Sequence, residues 1–370
     1  MKRINVLIPD GNDHRALKVV QSLGISFKTN VFIITPKESI VRHSRFCMPF
    51  YIPRNTSDDD INLCMRYVLQ RYAIDVILPV GEKGISYIHR NDWLRKWNIA
   101  PIPDAQALSS VSNKWSLNIL LRDLGLDSPD SIIIANKCDV DKISEITKYP
   151  VLIKPTHGAG GFGIVFIKNK TSLHSHIVNK LQYGGNREYI VQEYVDGAGT
   201  DISLLCNGGE ILAFTTQKPI DKTDRAFTYA KMIEFIYDSS ILEYCKKLIS
   251  HIKWTGVAHL DFIKEKSGEK VFLIDFNPRF WGTLLGSTSA GVNFPYLACL
   301  SAMGIPYDLP NYKNSKYYDL RRKQLFSFIL NRKGNSGGFL QNSNIYTNLL
   351  DPLPTILNKL PISIRKRSPI

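Results

Sequence analysis

The sequence lacks the features that define several common protein classes. Its six cysteines stand singly, without a CxxC pair, which argues against a zinc ribbon, a thioredoxin-like motif and a disulfide framework. Scattered, reduced thiols are typical of cytosolic proteins, so we expect a cytoplasmic location. No apolar run approaches the ~20 residues that a membrane helix requires. The short run Ile4–Ile8 contains Asn5 and predicts a buried strand rather than the core of a signal peptide.

Two familiar nucleotide-binding loops are also missing. The first predicted strand runs into Pro9-Asp10-Gly11-Asn12, which is not the GxGxxG loop of nicotinamide-binding domains. The GxxxxGK[ST] loop of P-loop enzymes is absent from the whole sequence. A nicotinamide-dependent dehydrogenase and a P-loop nucleotidase are therefore disfavoured.

Acidic residues are scarce near the C-terminus. Residues 311–370 hold eleven Lys and Arg against two Asp and Glu, a net charge of +9 out of +14 for the chain. The basic residues are not interleaved with stacking aromatic motifs, so we expect no nucleic-acid partner. Three explanations stay open for a basic C-terminal extension at 306–370: a helix packed on the core, weak contact with an anionic membrane, or an acidic substrate or partner.

Short apolar strands alternate with helical segments over residues 1–110, which predicts an open parallel α/β domain. Polar turn residues follow the strands, and ligands of such sheets bind at the carboxyl ends of the strands. The predicted strands are Ile4–Ile8, Val31–Thr35 and Ile74–Val80, and the predicted helices are Asp13–Leu23, Asp58–Tyr72 and Glu82–Trp97.

A linker at Pro101–Asp104 precedes a second domain, predicted at 111–305. It opens with a helix over Ser112–Leu124, for which Ser112 is the expected N-cap. Longer strands and hairpins then predict an antiparallel α+β region, with a small lobe at about 130–190 and a large lobe at about 191–305. The predicted strands are Ile132–Ala135, Val151–Lys154, Gly163–Ile167, Tyr189–Tyr194, Asp201–Cys206, Ile211–Thr216, Val257–Ile263 and Val271–Asn277.

A glycine-rich loop follows the predicted strand that ends in Lys154. Four glycines within six residues, Gly158, Gly160, Gly161 and Gly163, lead into another apolar strand. Glycines let backbone N–H groups converge on phosphate oxygens, and Lys154 supplies a cation beside them. The pattern predicts a hairpin lid over nucleotide phosphates, and a merely flexible hairpin is the alternative.

A pair of carboxylates marks a second predicted hairpin. Asp261 and Asp275 lie at equal distances from Gly268, so a turn centred there places them opposite each other, with Cβ atoms about 4.5–5.5 Å apart. Opposed carboxylates on a half-buried sheet repel unless a cation lies between them, and oxygen ligands favour Mg²⁺ or Mn²⁺. Asn277 and Arg279 continue on the same face and offer a neutral oxygen ligand and a planar cation. Solvated acids on an exposed hairpin are the alternative.

These motifs resemble the ATP-grasp superfamily of ligases over about Ser112–Ala298. Asn113-Lys114 opens a helix, Lys154-Pro155 precedes the glycine lid, and Asp275-Phe-Asn277-Pro-Arg279 closes the metal hairpin. The family more often has Glu at position 275 and Asp at position 113. The segment from Arg279 to Asn293 is similar to a branch of predicted ATP-grasp carboligases.

The resemblance implies an ATP-dependent ligase that activates a carboxylate as an acyl phosphate and joins it to an amine or similar nucleophile. It implies that the cofactors are ATP with Mg²⁺ or Mn²⁺, and that the partners are small carboxylate and amine substrates. A homodimer is left open. By this resemblance, Lys114, Lys154 and the four lid glycines would contact the phosphates of ATP, Glu193 and the Val195 backbone would contact adenine, and Asp201, or alternatively Asp196, would contact the ribose. Asp261, Asp275 and Asn277 would bind two metal ions. Arg279 would contact the transferring phosphoryl group.

Other functions remain open beside the ligase. An ATP-grasp phosphotransferase, a ligase that uses bicarbonate and a non-catalytic nucleotide-binding scaffold are the alternatives. His157 and His259 are candidates for a general base by position alone, and His259 pairs across the predicted hairpin with Asn277, so it is equally a candidate for a structural role.

Overall fold

The computed structural model describes residues 2–54, 57–136, 139, 142, 148–158, 161–183, 188–220, 232–266, 270–320 and 339–358. Three sheets account for its architecture. The predicted combination of a parallel α/β sheet with later antiparallel sheets is confirmed.

The first sheet is parallel and has the strand order β3-β2-β1-β4. As predicted, buried apolar strands alternate with amphipathic helices in this sheet. The edge strand β3 was not predicted, because Pro49 interrupts its apolar pattern. Its elements are β1 (Ile4–Ile8), α1 (Ala16–Ile25), β2 (Thr29–Pro36), β3 (Cys47–Ile52), α2 (Asp58–Arg71), β4 (Val76–Ile77) and α3 (Glu82–Arg90).

Several helix boundaries differ from the prediction, and two of the differences have a clear local cause. The helix expected to reach Trp97 ends at Arg90, because Asn91 leaves the helical conformation and donates from its side chain to the Tyr87 carbonyl. A short 3-10 helix, Asp92–Lys96, follows. The other change concerns Ser112, whose hydroxyl donates back to the Leu108 carbonyl at the end of a preceding helix.

Two helices, α4 (Ala105–Val111) and α5 (Lys114–Asp123), follow the predicted linker. Asn113 is the N-cap of α5, since its Oδ1 accepts the backbone N–H groups of Trp115 and Ser116 at 3.0 and 2.8 Å. The predicted cap at Ser112 is therefore wrong by one residue. The cap places Lys114 at the first helical position.

A small antiparallel sheet follows, with the order β5-β8-β6-β7. One helix, α6, packs Leu173 and Ile177 against its apolar face. The elements are β5 (Ser131–Ile134), β6 (Val151–Pro155), β7 (Val165–Ile167), α6 (Lys170–Tyr183) and β8 (Tyr189–Glu193).

The third sheet is antiparallel and has the order β13-β12-β9-β10-β11-β14. One face packs on α4, α5 and α7 through an apolar cluster that includes Trp254 and Phe262. Another cluster joins the first sheet to α9 and to Phe280 and Trp281. The elements are β9 (Gly197–Asn207), β10 (Glu210–Pro219), β11 (Met232–Ile236), α7 (Ser239–His251), β12 (Gly256–Glu265), β13 (Val271–Asn277), α8 (Leu284–Ser289), α9 (Phe294–Ala302) and β14 (Lys316–Tyr318).

The described part of the C-terminal region forms α10 (Asn344–Leu350) and α11 (Pro352–Leu357). Asp351, between the two helices, is fully buried and accepts hydrogen bonds from the Gln21 and Ser44 side chains and the Arg45 backbone. The C-terminal helices are thereby fastened to the first domain. The basic groups 321–323, 332–333 and 365–367 lie outside the described residues.

No helix in the described ranges is long and apolar enough to cross a membrane. The five cysteines of those ranges are all free thiols.

Candidate active site

A row of three carboxylates crosses neighbouring strands of the third sheet. Asp261 of β12 pairs in register with Asp275 of β13, as the hairpin predicted, and His259 pairs with Asn277. On its other side Asp261 pairs in register with Asp201 of β9. The turn of the β12–β13 hairpin, 267–269, lies outside the described residues.

The environment disfavours negative charge on this row. Desolvation, reinforced by the neighbouring Asp201 and Asp275, raises the pKa of Asp261 well above its usual range. Desolvation also raises the pKa of Asp201 to about 6, against the effect of a hydrogen bond from Gln217 Nε2 at 3.1 Å. The row therefore keeps its full negative charge only when a cation lies against it, and otherwise a carboxyl group takes up a proton.

Two lysines converge on the same place from other elements. Lys114 Nζ, at the start of α5, lies 3.1 Å from Asp275 Oδ1 and donates to the Gly158 carbonyl at 3.0 Å. Lys154, at the end of β6, is 4% exposed and donates to Gln192 Oε1 at 2.6 Å. Burial, followed by the charge of Lys114, lowers the pKa of Lys154 to about 8.

The glycine loop connects β6 to β7, and the Gly158 carbonyl at its start accepts a hydrogen bond from Lys114. Gly161 and Gly163 have φ of 76° and 79°, a region that residues with a side chain seldom adopt. Gly158 has φ of 135°. The predicted phosphate contact at Gly160 lies outside the described residues. The glycines that are described thus have the backbone freedom that a phosphate-binding loop requires.

The segment after β8 carries the predicted adenine contacts. Glu193, the last residue of β8, donates its backbone N–H to the Asp130 carbonyl, and its carboxylate lies 3.7 Å from Lys148 Nζ. Val195 is buried. Asp196 forms an exposed ion pair with Lys266 at 2.5 Å, whereas Asp201 faces the carboxylate row.

Arg279 connects the hairpin to the first domain. Its Nη2 donates to Asn277 Oδ1 at 2.6 Å, and its Nε lies 3.5 Å from Glu82 Oε1. Burial, followed by the charge of Arg15, lowers the pKa of Arg279. Both guanidinium groups donate to the Phe280 carbonyl, at 3.3 Å from Arg279 and 3.4 Å from Arg15. Two guanidinium groups thus meet at one carbonyl, and each also has an acidic neighbour, Asp13 for Arg15 and Glu82 for Arg279.

Arg15 was not recognised in the sequence. Asp13 accepts hydrogen bonds from both Nε and Nη2 of Arg15, and this contact fixes the guanidinium plane. The only available signal was position, since both residues follow the turn at the carboxyl end of β1. Desolvation raises the pKa of the neighbouring Asp10 to about 6, although Asp10 accepts the N–H groups of Val80 and Gly81.

The His259 side chain lies inside the site, where it contacts Ser203 and Trp281. Its Nδ1 lies 2.9 Å from Ser203 Oγ, and its ring stacks on Trp281 with centroids 5.4 Å apart. Desolvation, followed by the charge of Arg279, lowers the pKa of His259 to about 3. His157 lies on the loop after β6, and its Nδ1 is 3.1 Å from Thr156 Oγ1.

Comparison with known proteins agrees with this arrangement. Residues 111–283 match the family model described as an ATP-grasp domain. The vancomycin C-type resistance protein VanC1 of Enterococcus gallinarum is 24% identical over 263 residues, which span 65% of this chain and 72% of that protein. The carbamoyl phosphate synthase large chain of Thermomicrobium roseum is 19% identical over 182 residues, 48% of this chain but only 17% of that protein.

A solved structure extends the likeness over most of the fold. The N5-carboxyaminoimidazole synthetase of Staphylococcus aureus complexed with ADP superposes with a TM-score of 0.68 and 17% identity, covering 88% of this chain and 87% of that one. At this identity the likeness concerns the fold. The resemblance to the ATP-grasp family that the sequence motifs indicated is confirmed for residues 111–283.

Proposed function

We propose that this protein is an ATP-dependent ligase that phosphorylates a carboxylate and transfers the acyl group to an amine or similar nucleophile. One observation carries the proposal. Asp261 and Asp275 face each other in register, with Asn277 and Arg279 beyond them and Lys114 against Asp275. Such an arrangement suits binding of a nucleoside triphosphate with divalent cations.

The donor set fits Mg²⁺, because Asp261, Asp275 and Asn277 offer hard oxygen ligands on one face of a hairpin. Mg²⁺, or Mn²⁺ in its place, would supply charge neutralisation for the β- and γ-phosphates of ATP. Lys114 and Lys154 would contact the same phosphates from the other side. Binding of the triphosphate would favour the charged form of Lys154, whose pKa burial has lowered.

The remaining nucleotide contacts are proposed for the segment after β8 and for the glycine loop. Glu193 would accept from the adenine amino group, and the Val195 backbone would bond the ring edge. Asp201 is preferred to Asp196 for the ribose, since Asp196 is paired with Lys266. The loop at Gly158–Gly163 would cover the phosphates and exclude water from the reacting group.

The reaction follows from the need for a better leaving group than oxide. A carboxylate oxygen attacks the γ-phosphorus of ATP, the bond to the β–γ bridging oxygen breaks, and ADP leaves. The nucleophile then attacks the acyl carbon, the acyl C–O bond breaks, and phosphate leaves with the former carboxylate oxygen. The proton of the amine passes to solvent or to phosphate. Arg279 would steady the charge on the transferring group throughout.

The substrate acid is proposed to bind where the first domain meets the hairpin. The guanidinium groups of Arg279 and Arg15 converge there on the Phe280 carbonyl, so an anion would be attracted to both. With this placement, residues 1–110 would form a domain that binds substrate. Residues 111–305 would form the ATP-grasp domain, with lobes at about 130–190 and 191–305, and residues 306–370 would form an extension.

The experiment that tests the function is a paired screen. Amino acids and sugar acids are incubated in pairs with the protein, ATP and Mg²⁺, and ADP and phosphate are measured. A ligase releases both products only when an acid and a nucleophile are present together. Repeating the screen in CO₂-depleted buffer, with and without added bicarbonate, identifies a ligase that uses bicarbonate as its acid. Product with one phosphorylated substrate and no phosphate would indicate a phosphotransferase, and no turnover with any pair would favour a scaffold.

The cellular setting is also a proposal. We place the reaction in the cytoplasm, where ATP is supplied and the free thiols stay reduced. Weak contact with an anionic membrane would use the basic extension together with the exposed Leu349, Leu353 and Ile356 of the C-terminal helices. Co-sedimentation with anionic vesicles at low salt tests this contact, and protein that stays in the supernatant at low salt excludes it.

Self-association into a homodimer is the other proposal about partners. The edge strand β3 exposes Met48 and Tyr51, which a second copy could cover. Sedimentation velocity over a range of protein concentrations would detect the dimer.

A further inference from the structure

Two carboxylates and one imidazole meet at the proposed phosphate-metal site, to which Asp261 also belongs. One ligand atom each from Asp201, His259 and Asp261 lies within 4.8 Å of the other two. His259 Nε2 is 3.4 Å from Asp261 Oδ1 and 4.0 Å from Asp201 Oδ2. Ligand atoms that share one divalent ion are about 3.0–3.4 Å apart at usual bond lengths, so rotation of the Asp201 side chain would complete such a set.

The histidine ring is oriented by its surroundings. Ser203 Oγ lies 2.9 Å from Nδ1, and Trp281 stacks on the ring with an interplanar angle of 11°. With Nδ1 donating to Ser203, the lone pair of Nε2 points at the two carboxylates. Imidazole ligands of metals are commonly fixed in this way by a hydrogen bond to the other ring nitrogen.

Asp201 is oriented in a similar manner. Gln217 Nε2 donates to Asp201 Oδ2 at 3.1 Å, and Gln217 Oε1 accepts from Thr283 Oγ1 at 3.0 Å. These bonds fix which way the amide of Gln217 points. The imidazole is thus oriented before any ligand arrives, and the hydrogen bond from Gln217 keeps the Asp201 carboxylate within a side-chain rotation of the shared position.

The charges beside this set are unbalanced. Asp275 has Lys114 at 3.1 Å, but within the described ranges the only ion-pair partner within 4.0 Å of Asp201 or of Asp261 is His259. A neutral imidazole whose lone pair faces two ionised carboxylates is repelled by both. A cation at the centre removes the repulsion and satisfies all three groups.

We propose that Asp201, His259 and Asp261 bind a divalent transition-metal ion of the Mn²⁺ class in the nucleotide-free protein. A nitrogen donor beside two carboxylates favours Mn²⁺ and later divalent metals over Mg²⁺ and Ca²⁺. This site differs from the phosphate-metal site because it has an imidazole ligand and three protein ligands without any phosphate. Asp261 belongs to both metal sites. In the nucleotide-free protein no ribose contacts Asp201, so the bound ion would neutralise the row of carboxylates until ATP enters.

The test uses Mn²⁺ alone with the full-length protein. Electron paramagnetic resonance of free Mn²⁺ gives the number of ions bound per chain without nucleotide, and pulsed measurements detect coupling to a directly bound ¹⁴N. We expect one tightly bound ion per chain with nitrogen coupling. His259→Gln should weaken binding at least about tenfold and abolish the coupling, and Ser203→Ala should weaken it by about tenfold.

Two variants serve as controls. His251→Gln changes an exposed histidine at the end of α7 and should leave binding unchanged. Asp275→Asn removes a phosphate-metal ligand outside the set and should retain the nucleotide-free ion. The proposal is overturned if the wild-type protein binds no Mn²⁺ without nucleotide, or binds it without nitrogen coupling. Because the coupling is measured on the wild-type protein, this decision does not depend on the folding of a variant, and either result leaves the ligase proposal intact.

Discussion

Replacing Lys154 with methionine is expected to stabilise the nucleotide-free protein while removing its response to ATP. Lys154 is 4% exposed, and burial lowers its pKa from 10.5 to about 8. A charged group that the folded state disfavours costs stability, whereas the methionine fills similar space without a charge. Lys154 would therefore serve ligand binding rather than the stability of the fold.

The magnitude follows from the pKa change. A shift of one pKa unit corresponds to about 1.4 kcal/mol, so the charged Lys154 costs the folded state roughly 3 kcal/mol below pH 8. Part of this gain is lost because Gln192 Oε1 loses its partner, at a cost of about 1–3 kcal/mol. We expect Lys154→Met to raise the free energy of unfolding by up to about 2 kcal/mol at pH 7.

The pH dependence has a definite sign. Below pH 8 both the folded and the unfolded lysine are protonated, and the full cost applies. Between pH 8 and 10.5 the folded lysine is neutral while the unfolded one is still charged, so the cost declines to zero. The stability advantage of the variant should therefore shrink as the pH rises through this window, and it should reverse once only the lost hydrogen bond to Gln192 remains.

Urea unfolding, with and without ATP and Mg²⁺, measures both effects. Ligand at a hundred times its dissociation constant should stabilise the wild type by about 2.7 kcal/mol and the variant by much less. Lys168→Met, at an exposed lysine after β7, is the matched control and should change neither quantity. A variant that is less stable than the wild type without ligand, or that ATP still stabilises fully, would refute the reasoning.

Three further changes test other parts of the site. Asp275→Asn should reduce Mg²⁺-dependent turnover about a hundredfold or more at saturating ATP, because a carboxylate beside the phosphates is lost, and unchanged turnover in an enzyme assay would exclude the metal role. Asn113→Ala should lower the free energy of unfolding in urea by about 1 kcal/mol, because two backbone N–H groups lose their acceptor. Ser112→Ala should lower it by less. A larger loss in Ser112→Ala than in Asn113→Ala would contradict the assignment of Asn113 as the N-cap. Gly161→Val should raise the KM for ATP and uncouple hydrolysis from ligation, because φ is 76° there, whereas Gly208→Val, at φ 57° in a distant turn, should alter neither kinetic quantity.

The pairing of Asp261 with Asp275 was predictable because it depends on one local hairpin. Alternation of apolar and polar residues sets which face each side chain takes, and a turn centred near Gly268 sets the register. The prediction holds although the strands contain an irregularity between Asp261 and Phe262. Local pattern and local geometry were sufficient here.

The third carboxylate of the row could not be placed in the same way. Asp201 reaches Asp261 only because β9 pairs with β12, strands separated by some fifty residues of chain. Nothing in the sequence near Asp201 specifies that pairing, and Ser203 and Gln217 were missed for the same reason. The resemblance to a family supplied a ribose role for Asp201, but its place beside His259 is a fact of the tertiary structure.

The contribution of the first domain was the least predictable. The strands at Ile4–Ile8 and near Val31–Thr35 were recognised from their apolar runs, and the ligand edge of their sheet from the turn residues. The sequence could not show that Arg15 reaches the Phe280 carbonyl, 265 residues away in the chain. Contacts between domains depend on how two independently patterned surfaces meet.

The central claim is that a carboxylate oxygen attacks the γ-phosphate of ATP. A substrate acid identified by the paired screen is labelled with ¹⁸O in its carboxylate and incubated with its nucleophile, ATP and Mg²⁺. Mass spectrometry of the released phosphate then reports where the label goes. The account predicts one ¹⁸O atom in each phosphate released by wild-type protein. Phosphate without label, released while ADP and the joined product accumulate, would contradict the account, because the acyl group would then have been activated in another way.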